Sequence, residues 1–125
     1  MARDLSTTPP TGTRSRQISY ADFEKAEIRV GRVVQVEPFP EARKPAYKLW
    51  LDFGELGIKR SSAQITARYQ IEELIGRTIL AVTNFPPKQV VDFVSEVLVL
   101  GVIVDEGDVV LIRPDYDVPP WSRVL

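Results

Sequence analysis

The sequence predicts an all-β fold, a five-stranded Greek-key barrel with short helices and with extensions at both ends. A length of 125 residues is typical of one domain. Apolar and polar residues alternate over several short segments, and glycines and prolines separate these segments, as is typical of short strands joined by turns. The hydrophobic share of 44% and the charged share of 26% are ordinary for a globular protein, which excludes collagen-like, coiled-coil and wholly disordered chains.

The N-terminal segment differs in composition from the rest of the chain. Residues 1–17 mix Thr, Ser, Pro and Arg, so we predict a flexible arm there and one domain over residues 18–125. The arm has no apolar segment of signal-peptide length, and no later segment approaches the roughly 18 consecutive apolar residues that span a bilayer. We therefore expect a cytoplasmic protein that does not insert into membranes.

The domain begins with a short helix and a strand. Ser19 is a suitable helix cap, and Asp22 three residues later lies near the positive end of the helix dipole. Ile28 to Val36 then follow a strand alternation that lapses once, and a bulge near Gly31 would account for the lapse.

A hairpin is predicted from Tyr47 to Ile65, because two alternating segments flank the turn at Gly54–Gly57. On its first strand Lys48 and Trp50 lie on the face opposite the apolar residues. That face therefore carries an exposed aromatic ring beside a cation.

The next segments predict a helix, a strand and a proline loop. Thr66 to Ile75 reads as a short helical stretch with Thr66 as its cap, and Arg77 to Thr83 as a strand. Asn84 to Lys88 must be a loop, because its prolines lack the amide that a central strand needs. One helix between the third and fourth strands is typical of a Greek-key barrel of the OB type.

The C-terminal part supplies the remaining strands, over Val90–Val104 and Val109–Ile112, with a turn at Asp105–Asp108. Val97 to Val104 is apolar on both faces, and the tail from Asp115 to Leu125 is too apolar for a free end and too irregular for a strand. We expect the tail to pack, and a homodimer would bury both segments; packing within one domain is the alternative.

The composition excludes most familiar catalytic sites. The chain has no Cys and no His, so it lacks a disulfide, a Ser-His-Asp triad and any Cys/His zinc site. Glu72 and Glu73 are neighbours on a helix and point about 100° apart, so they do not converge on one substrate. Asp105, Glu106 and Asp108 fit a hairpin turn better than a calcium loop. We predict no enzyme activity, no metal and no cofactor.

Ligand binding is better supported, although the net charge is only −1. Basic residues concentrate between Lys25 and Arg60, which predicts either a basic face or an ordinary salt-paired surface. Trp50 beside Lys48 offers a stacking ring for single-stranded nucleic acid, or else it covers the barrel or a dimer contact. Hydrogen-bonding groups are added by Ser61, Ser62, Gln64, Asn84 and Lys88.

Several motifs in this order and spacing resemble the tRNA-binding OB domain, which occurs free in bacteria and fused to some aminoacyl-tRNA synthetases. The resemblance covers the chain from about Ile18 onward. The motifs are Ile28-Arg29-Val30-Gly31, Glu37-x-Phe39-Pro40-x-Ala42, Lys48-Leu49, Ser61-Ser62-Ala63-Gln64-Ile65, Leu74-Ile75-Gly76, Asn84-Phe85-Pro86-Pro87-Lys88 and Ser95.

The resemblance implies a non-enzymatic homodimer that binds tRNA. Within the family, Ser61 to Thr66 and the double proline are most similar to a branch of export-related chaperones that bind unfolded or precursor polypeptides. Relatives that bind tRNA carry a Gly-Met pair where this chain has Val97-Leu98, which favours the polypeptide ligand. The implied binding face comprises Ser61, Ser62, Gln64, Asn84, Lys88 and Ser95, with Arg43, Lys44 and Lys48 as its positive rim. The residues themselves add Trp50 and Phe85, which we expect as exposed apolar groups of the same face.

The sequence thus leaves three functions to compare. The first is an ATP-independent chaperone with tRNA-binding capacity on the same face, working near the export machinery. The second is a tRNA-binding protein that recognises tRNA by shape. The third is a structural dimer whose ligand face is incidental.

Overall fold

The computed structural model describes residues 16–125, so most of the predicted N-terminal arm lies outside the described residues. The helices are α1 (Tyr20–Glu24), α2 (Ile71–Leu74) and one 3-10 turn (Gly54–Leu56). The strands are β1 (Ile28–Pro38), β2 (Tyr47–Asp52), β3 (Ile58–Ala63), β4 (Thr78–Val82), β5 (Lys88–Val90), β6 (Phe93–Ser95), β7 (Leu98–Val99), β8 (Gly101–Asp105) and β9 (Asp108–Leu111).

Five strands form an antiparallel sheet in the order β3-β2-β1-β4-β7, and this sheet curls into a nearly closed barrel of the predicted OB type. Strand β1 is long enough to serve two neighbours: Arg32 to Pro38 pair with β2, and Ile28 to Arg32 pair with β4. The predicted hairpin is confirmed, because β2 pairs with β3 from Tyr47↔Ala63 to Asp52↔Ile58.

The barrel closes between β3 and the segment that follows β6. The carbonyl of Arg60 accepts hydrogen bonds from the amides of Glu96 at 2.8 Å and Val97 at 3.3 Å. Side chains complete this seam: the Glu96 carboxylate accepts from the Arg60 amide at 3.0 Å, and the Ser95 hydroxyl accepts from the Ser62 amide at 3.0 Å. At this seam the β3 amides of Arg60 and Ser62 donate to side-chain oxygens, where a complete partner strand would have supplied backbone carbonyls.

The barrel interior is filled by the alternating faces of the strands. Phe53, Leu49 and Leu51 are fully buried at its centre, together with Leu74 from α2. Gly31 lies against Phe53 so closely that a Cβ atom at this glycine would be 2.6 Å from the ring atom Cε1. Glycine is therefore required here by close approach, and not by the predicted bulge.

The bulge itself lies farther along β1 than predicted. The register against β2 shifts between Val33 and Gln35, which leaves Val34 as the additional residue with 44% of its surface exposed. The cause is a change of partner, because Val33 also exchanges hydrogen bonds with the segment before β4: its amide donates to Arg77 and its carbonyl accepts from Gly76. The extra residue lets Val33 and Val36 both point into the core.

Two other predicted elements are shorter than the sequence indicated. The helix covers only Ile71–Leu74 and begins after Gln70, which forms a capping box with Glu73, so Thr66 is not its cap. The expected strand over Val90–Val104 is divided among the β5–β6 hairpin, β7 and β8. The apolar pattern did not predict where this strand is interrupted, because its closely spaced valines look like one continuous strand.

The C-terminal tail is more ordered than predicted, and it packs on its own chain. The Trp121 amide donates to Val30 at 2.7 Å, the Val30 amide to Ser122 at 2.9 Å, and the Val124 amide to Ile28 at 2.9 Å. The tail thus pairs with the free edge of β1. Its packing does not require a second subunit.

The tail is fixed by one aromatic residue in particular. The guanidinium of Arg29 lies 4.3 Å from the ring centre of Trp121 and donates to the Trp121 carbonyl at 3.2 Å. The other contact is edge-on with Phe53, at 6.4 Å between ring centres. Trp121 therefore links the tail to the centre of the barrel.

The β8–β9 hairpin forms a separate two-stranded sheet, as the predicted turn implied. It is joined to the segment before α2 by Arg68, whose Nε and Nη2 donate to the Asp108 carboxylate at 2.9 and 2.8 Å. These hydrogen bonds lower the pKa of Asp108 below its ordinary value. The pair's stabilising effect is therefore complete at neutral pH and is lost as the pH falls through the lowered pKa.

Within residues 16–125, no helix has the length and apolar character needed to cross a membrane.

Candidate functional site

A cavity of about 820 Å³ opens between the loop before β2, strand β3 and the β5–β6 hairpin. Its size is in the range of ligand pockets in general. Six predicted site residues meet there although they come from distant parts of the sequence: Arg43, Lys44, Ser62, Gln64, Lys88 and Ser95. The barrel brings them together because β3 and the β5–β6 hairpin are neighbours across the seam.

A second, more apolar groove of about 320 Å³ adjoins this cavity. Phe85 and Pro86 of the proline loop form one part of it, and Val97 and Leu98 another. Lys88, Ser95 and Leu98 line both spaces, so the two are continuous. We call the combined surface the trough.

The trough has a positive rim. Arg43, Lys44 and Lys88 are exposed, and Glu96 is the carboxylate among the residues that line the two spaces. That carboxylate is already paired, with its oxygens 3.9 Å from Lys59 Nζ and 3.5 Å from Arg60 Nε. Arg43 and Lys44 thus lie in one part of the trough and Phe85 and Pro86 in the other, while Lys88 borders both.

Ser95 and Ser62 have a structural part in the trough as well. The hydroxyl of Ser95 is committed to the seam by the hydrogen bond from the Ser62 amide. Ser95 and Lys88 face each other as a cross-strand pair in the β5–β6 hairpin. Ser95 thus holds the hairpin, and with it Lys88, against the barrel.

Ser61 does not belong to the binding face, contrary to the prediction. It is 1% exposed and lies opposite the fully buried Leu49 on the inner face of the barrel. Since successive side chains of a strand point to opposite faces, only one of Ser61 and Ser62 can face a ligand. The structure selects Ser62.

Asn84 is exposed, but its amide group already has partners within the chain, which favours a structural role over the predicted role in ligand binding. Its Oδ1 accepts from the Glu27 amide at 2.9 Å, and its Nδ2 donates to the Lys25 carbonyl at 2.6 Å. Asn84 thereby ties the end of β4 to the chain that enters β1. It does not line either part of the trough.

We expect Asn84→Ala to lower the free energy of unfolding by about 1 to 2 kcal/mol, because two hydrogen bonds to backbone groups are lost. Ligand affinity should stay within about twofold of the wild type. Chemical denaturation and a binding titration measure the two effects. A large loss of affinity with unchanged stability would instead support a role of Asn84 in ligand binding.

Trp50 and Lys48 are half-buried, so the predicted exposed stacking ring is not present. Trp50 packs edge-on against Phe93 at 5.7 Å between ring centres. The Nζ atom of Lys48 lies 4.8 Å from the ring centre of Phe39 and 5.5 Å from that of Phe93. The outer face of β2 is covered by a second small apolar cluster, to which Phe39, Ala46 and Phe93 contribute buried side chains. The alternative prediction, that Trp50 covers the barrel, is the one the structure supports.

The sequence did not predict four residues that line the trough: Gln89, Val90 and Val91 of the β5–β6 hairpin, and Leu98 of β7. The sequence does contain a hint of this hairpin, because apolar and polar residues alternate on both sides of Val91-Asp92. Without a glycine or asparagine at the first turn position, that turn has no recognisable sequence signature.

Among residues 16–125, no group of three or more His, Cys, Asp or Glu side chains could hold a metal ion.

The comparisons with known proteins agree with this architecture. The family model described as "Putative tRNA binding domain" matches residues 28–123, which include every strand of the barrel.

Curated relatives include two methionine–tRNA ligases, which are much longer proteins. That of Bdellovibrio bacteriovorus is 34% identical over 113 residues, which cover 90% of this chain and 16% of the ligase. That of Methanocaldococcus jannaschii is 32% identical over 113 residues, covering 90% of this chain and 17% of the ligase. The chain spans about a sixth of the length of these relatives, so the likeness concerns one part of each ligase.

Three solved structures match this chain over their whole length. The chaperone CsaA of Bacillus anthracis is 51% identical, with a TM-score of 0.85 over 88% of this chain and 100% of CsaA. The CsaA chaperone protein of Picrophilus torridus is 48% identical, with a TM-score of 0.81 over 87% of this chain and 100% of that protein. A MetRS-related protein of Pyrococcus horikoshii is 27% identical, with a TM-score of 0.79 over 89% of this chain and 100% of that protein.

Proposed function

This chain belongs to the tRNA-binding domain family and is of the CsaA type, and from that premise we propose that it is a non-enzymatic, ATP-independent chaperone that binds unfolded or precursor polypeptides. Its proposed setting is the cytoplasm, where it would receive precursors before they reach the export machinery. No metal or cofactor takes part in this function. The sequence contains no G-x-x-x-x-G-K-[ST] motif for driving a nucleotide cycle.

The observation that supports this proposal is the composition of the trough. Arg43, Lys44 and Lys88 lie along a surface that also exposes Phe85, which is 54% exposed, and Leu98, which is 49% exposed. An extended polypeptide offers apolar side chains, backbone carbonyls and scattered carboxylates, and the trough has a complementary group for each. Because these contacts do not require a defined client sequence, binding would be broad and reversible.

A second function, recognition of tRNA by shape, is favoured by the family match and uses the same surface. The cations of the rim would contact phosphates, which supply most nucleic-acid affinity. With Trp50 half-buried, Phe85 becomes the aromatic residue of the trough that has an accessible ring for stacking on a base.

We also propose that the protein is a homodimer. Val102, Ile103 and Val104 of the β8–β9 hairpin are 51%, 77% and 52% exposed, which is unusual for consecutive apolar residues. No residue of β8 or β9 lines the trough, so burial of this hairpin against a second copy would leave the trough free. Two troughs could then hold one long unfolded chain with greater avidity.

Fluorescence anisotropy tests the proposed function. The protein is titrated into labelled carboxymethylated α-lactalbumin, a permanently unfolded polypeptide, and into labelled tRNA, each at about 50 mM and about 200 mM salt. Light scattering gives the mass in the same buffers. We expect the polypeptide to stay bound at the higher salt while tRNA binds only at the lower one. If tRNA alone binds, the chaperone proposal is wrong and the second function takes its place.

A further inference from the structure

Val91 has an unusual backbone conformation at the tip of the β5–β6 hairpin. Its φ angle is 57°, and Trp121 with 74° is the other residue besides glycine with a positive φ between residues 16 and 125. Side chains with a branched Cβ rarely adopt this left-handed conformation, because the Cβ atom approaches the neighbouring carbonyl. Glycine and asparagine are the usual residues at such a turn position.

The hairpin around Val91 leaves the residue no alternative conformation. Lys88↔Ser95 and Val90↔Phe93 fix the strand pairs, so only Val91 and Asp92 connect them. The side chain of Gln89 donates to the Val91 carbonyl at 2.9 Å and holds the turn from within. The strained φ is therefore imposed by the pairing of the strands.

Burial does not compensate Val91 for this strain. Trp121 packs its ring on Arg29 and Phe53, whereas Val91 is 55% exposed and belongs to neither core cluster. Its side chain lines the larger part of the trough, together with Arg43 and Lys44 of the opposite loop. An apolar side chain at a strained turn and on the wall of a cavity suggests a role in binding.

We propose that Val91 is a specificity-determining contact, which receives an apolar side chain of the bound polypeptide between the cations of the rim. This inference rests on the proposed chaperone function and names the chemistry of one subsite. A segment with an apolar residue beside an acidic or polar one would fit this position. A turn residue without strain, such as glycine or asparagine, would make the fold more stable and would remove the contact.

Val91→Asn and Val91→Ala test this proposal. Asparagine tolerates the left-handed conformation, so its variant should melt about 3 to 6 °C higher than the wild type. Alanine shortens the side chain but keeps most of the strain, so its variant should melt near the wild type. Both should bind carboxymethylated α-lactalbumin about fivefold more weakly, because one apolar contact is lost. Val34→Asn, at an exposed valine outside the trough, is the control and should keep full affinity.

The outcomes separate this inference from the proposed function. If the wild type fails to bind the polypeptide, the proposed function is wrong and the inference falls with it. If the wild type binds and both Val91 variants bind equally well, the contact is refuted while the chaperone function stands. A Val91→Asn variant that melts no higher refutes the strain. If tRNA affinity falls instead of polypeptide affinity, Val91 contacts nucleic acid and the polypeptide subsite is wrong.

Discussion

Replacement of Phe53 by alanine is expected to lower the free energy of unfolding by about 4 kcal/mol, the largest effect on stability that we predict. Phe53 is fully buried, lies against Gly31 and meets the Trp121 ring. Its removal therefore leaves a cavity where the barrel and the C-terminal tail join. Chemical denaturation followed by circular dichroism measures the loss. Ile18→Ala, at a residue that is 67% exposed and lies outside the proposed dimer contact, should change the stability little.

A double-mutant cycle tests whether the contact between Gly31 and the Phe53 ring is the reason that glycine is required at position 31. Gly31→Ala alone should be destabilising, because the added Cβ would meet the Phe53 ring at 2.6 Å. Combined with Phe53→Leu, whose side chain is smaller, the same glycine substitution should cost less than it does alone. Strictly additive losses would mean that Gly31 and Phe53 do not constrain each other, and the explanation of this glycine would be wrong.

Removal of the positive rim is expected to have the largest effect on binding. We predict that the combined substitutions Arg43→Ser, Lys44→Ser and Lys88→Ser reduce tRNA affinity at low salt about 100-fold and lower the slope of log K against log salt by about 2 to 3. Polypeptide affinity should fall less, by about tenfold, because apolar contacts at Phe85 and Leu98 remain. Anisotropy titrations at several salt concentrations measure both quantities.

The control for this variant removes equal charge elsewhere. Arg16, Lys25 and Arg113 are exposed and line neither part of the trough, so their replacement by serine keeps the net charge of the two variants equal. The control should lose only a few-fold in tRNA affinity. If both variants lose affinity alike, binding depends on net charge alone, and the trough is not the binding site. Equal melting temperatures would confirm that neither set of substitutions disturbs the fold.

Alternation of apolar residues was sufficient to predict the β2–β3 hairpin, whereas the OB-type barrel also required the predicted helix between the third and fourth strands. The period of 2 along Tyr47 to Phe53 is unbroken, and glycines mark the turn that follows. The strand from Val90 to Val104 was predicted as one piece because its interruptions carry no Pro or Gly before Gly101. Pairing across the hairpin, and not local composition, divides this segment.

The resemblance to the family predicted which residues lie together, but not the orientation of each side chain. Lys88, Ser95 and Gln64 line one cavity, as the resemblance implies. Ser61 faces inward because the register of β3 decides which of two adjacent serines meets the core, and a Ser-Ser pair carries no apolar signal of that register. The structural role of Asn84 could not be predicted because its partners, Lys25 and Glu27, lie far away in the sequence.

The C-terminal tail, which is synthesised last, pairs with β1, which is synthesised early, so β1 cannot complete its hydrogen bonds until synthesis is nearly finished. Arg29 and the Trp121 carbonyl that it binds are 92 residues apart, so nearly the whole domain must be made before this contact can form. Closing so long a loop is entropically costly and slow, whereas the β2–β3 hairpin forms from neighbouring residues. Until the tail is in place, one edge of β1 remains unpaired and can associate with other extended chains. We therefore expect the chain to misassociate more readily before its tail has been synthesised than after the tail has paired with β1.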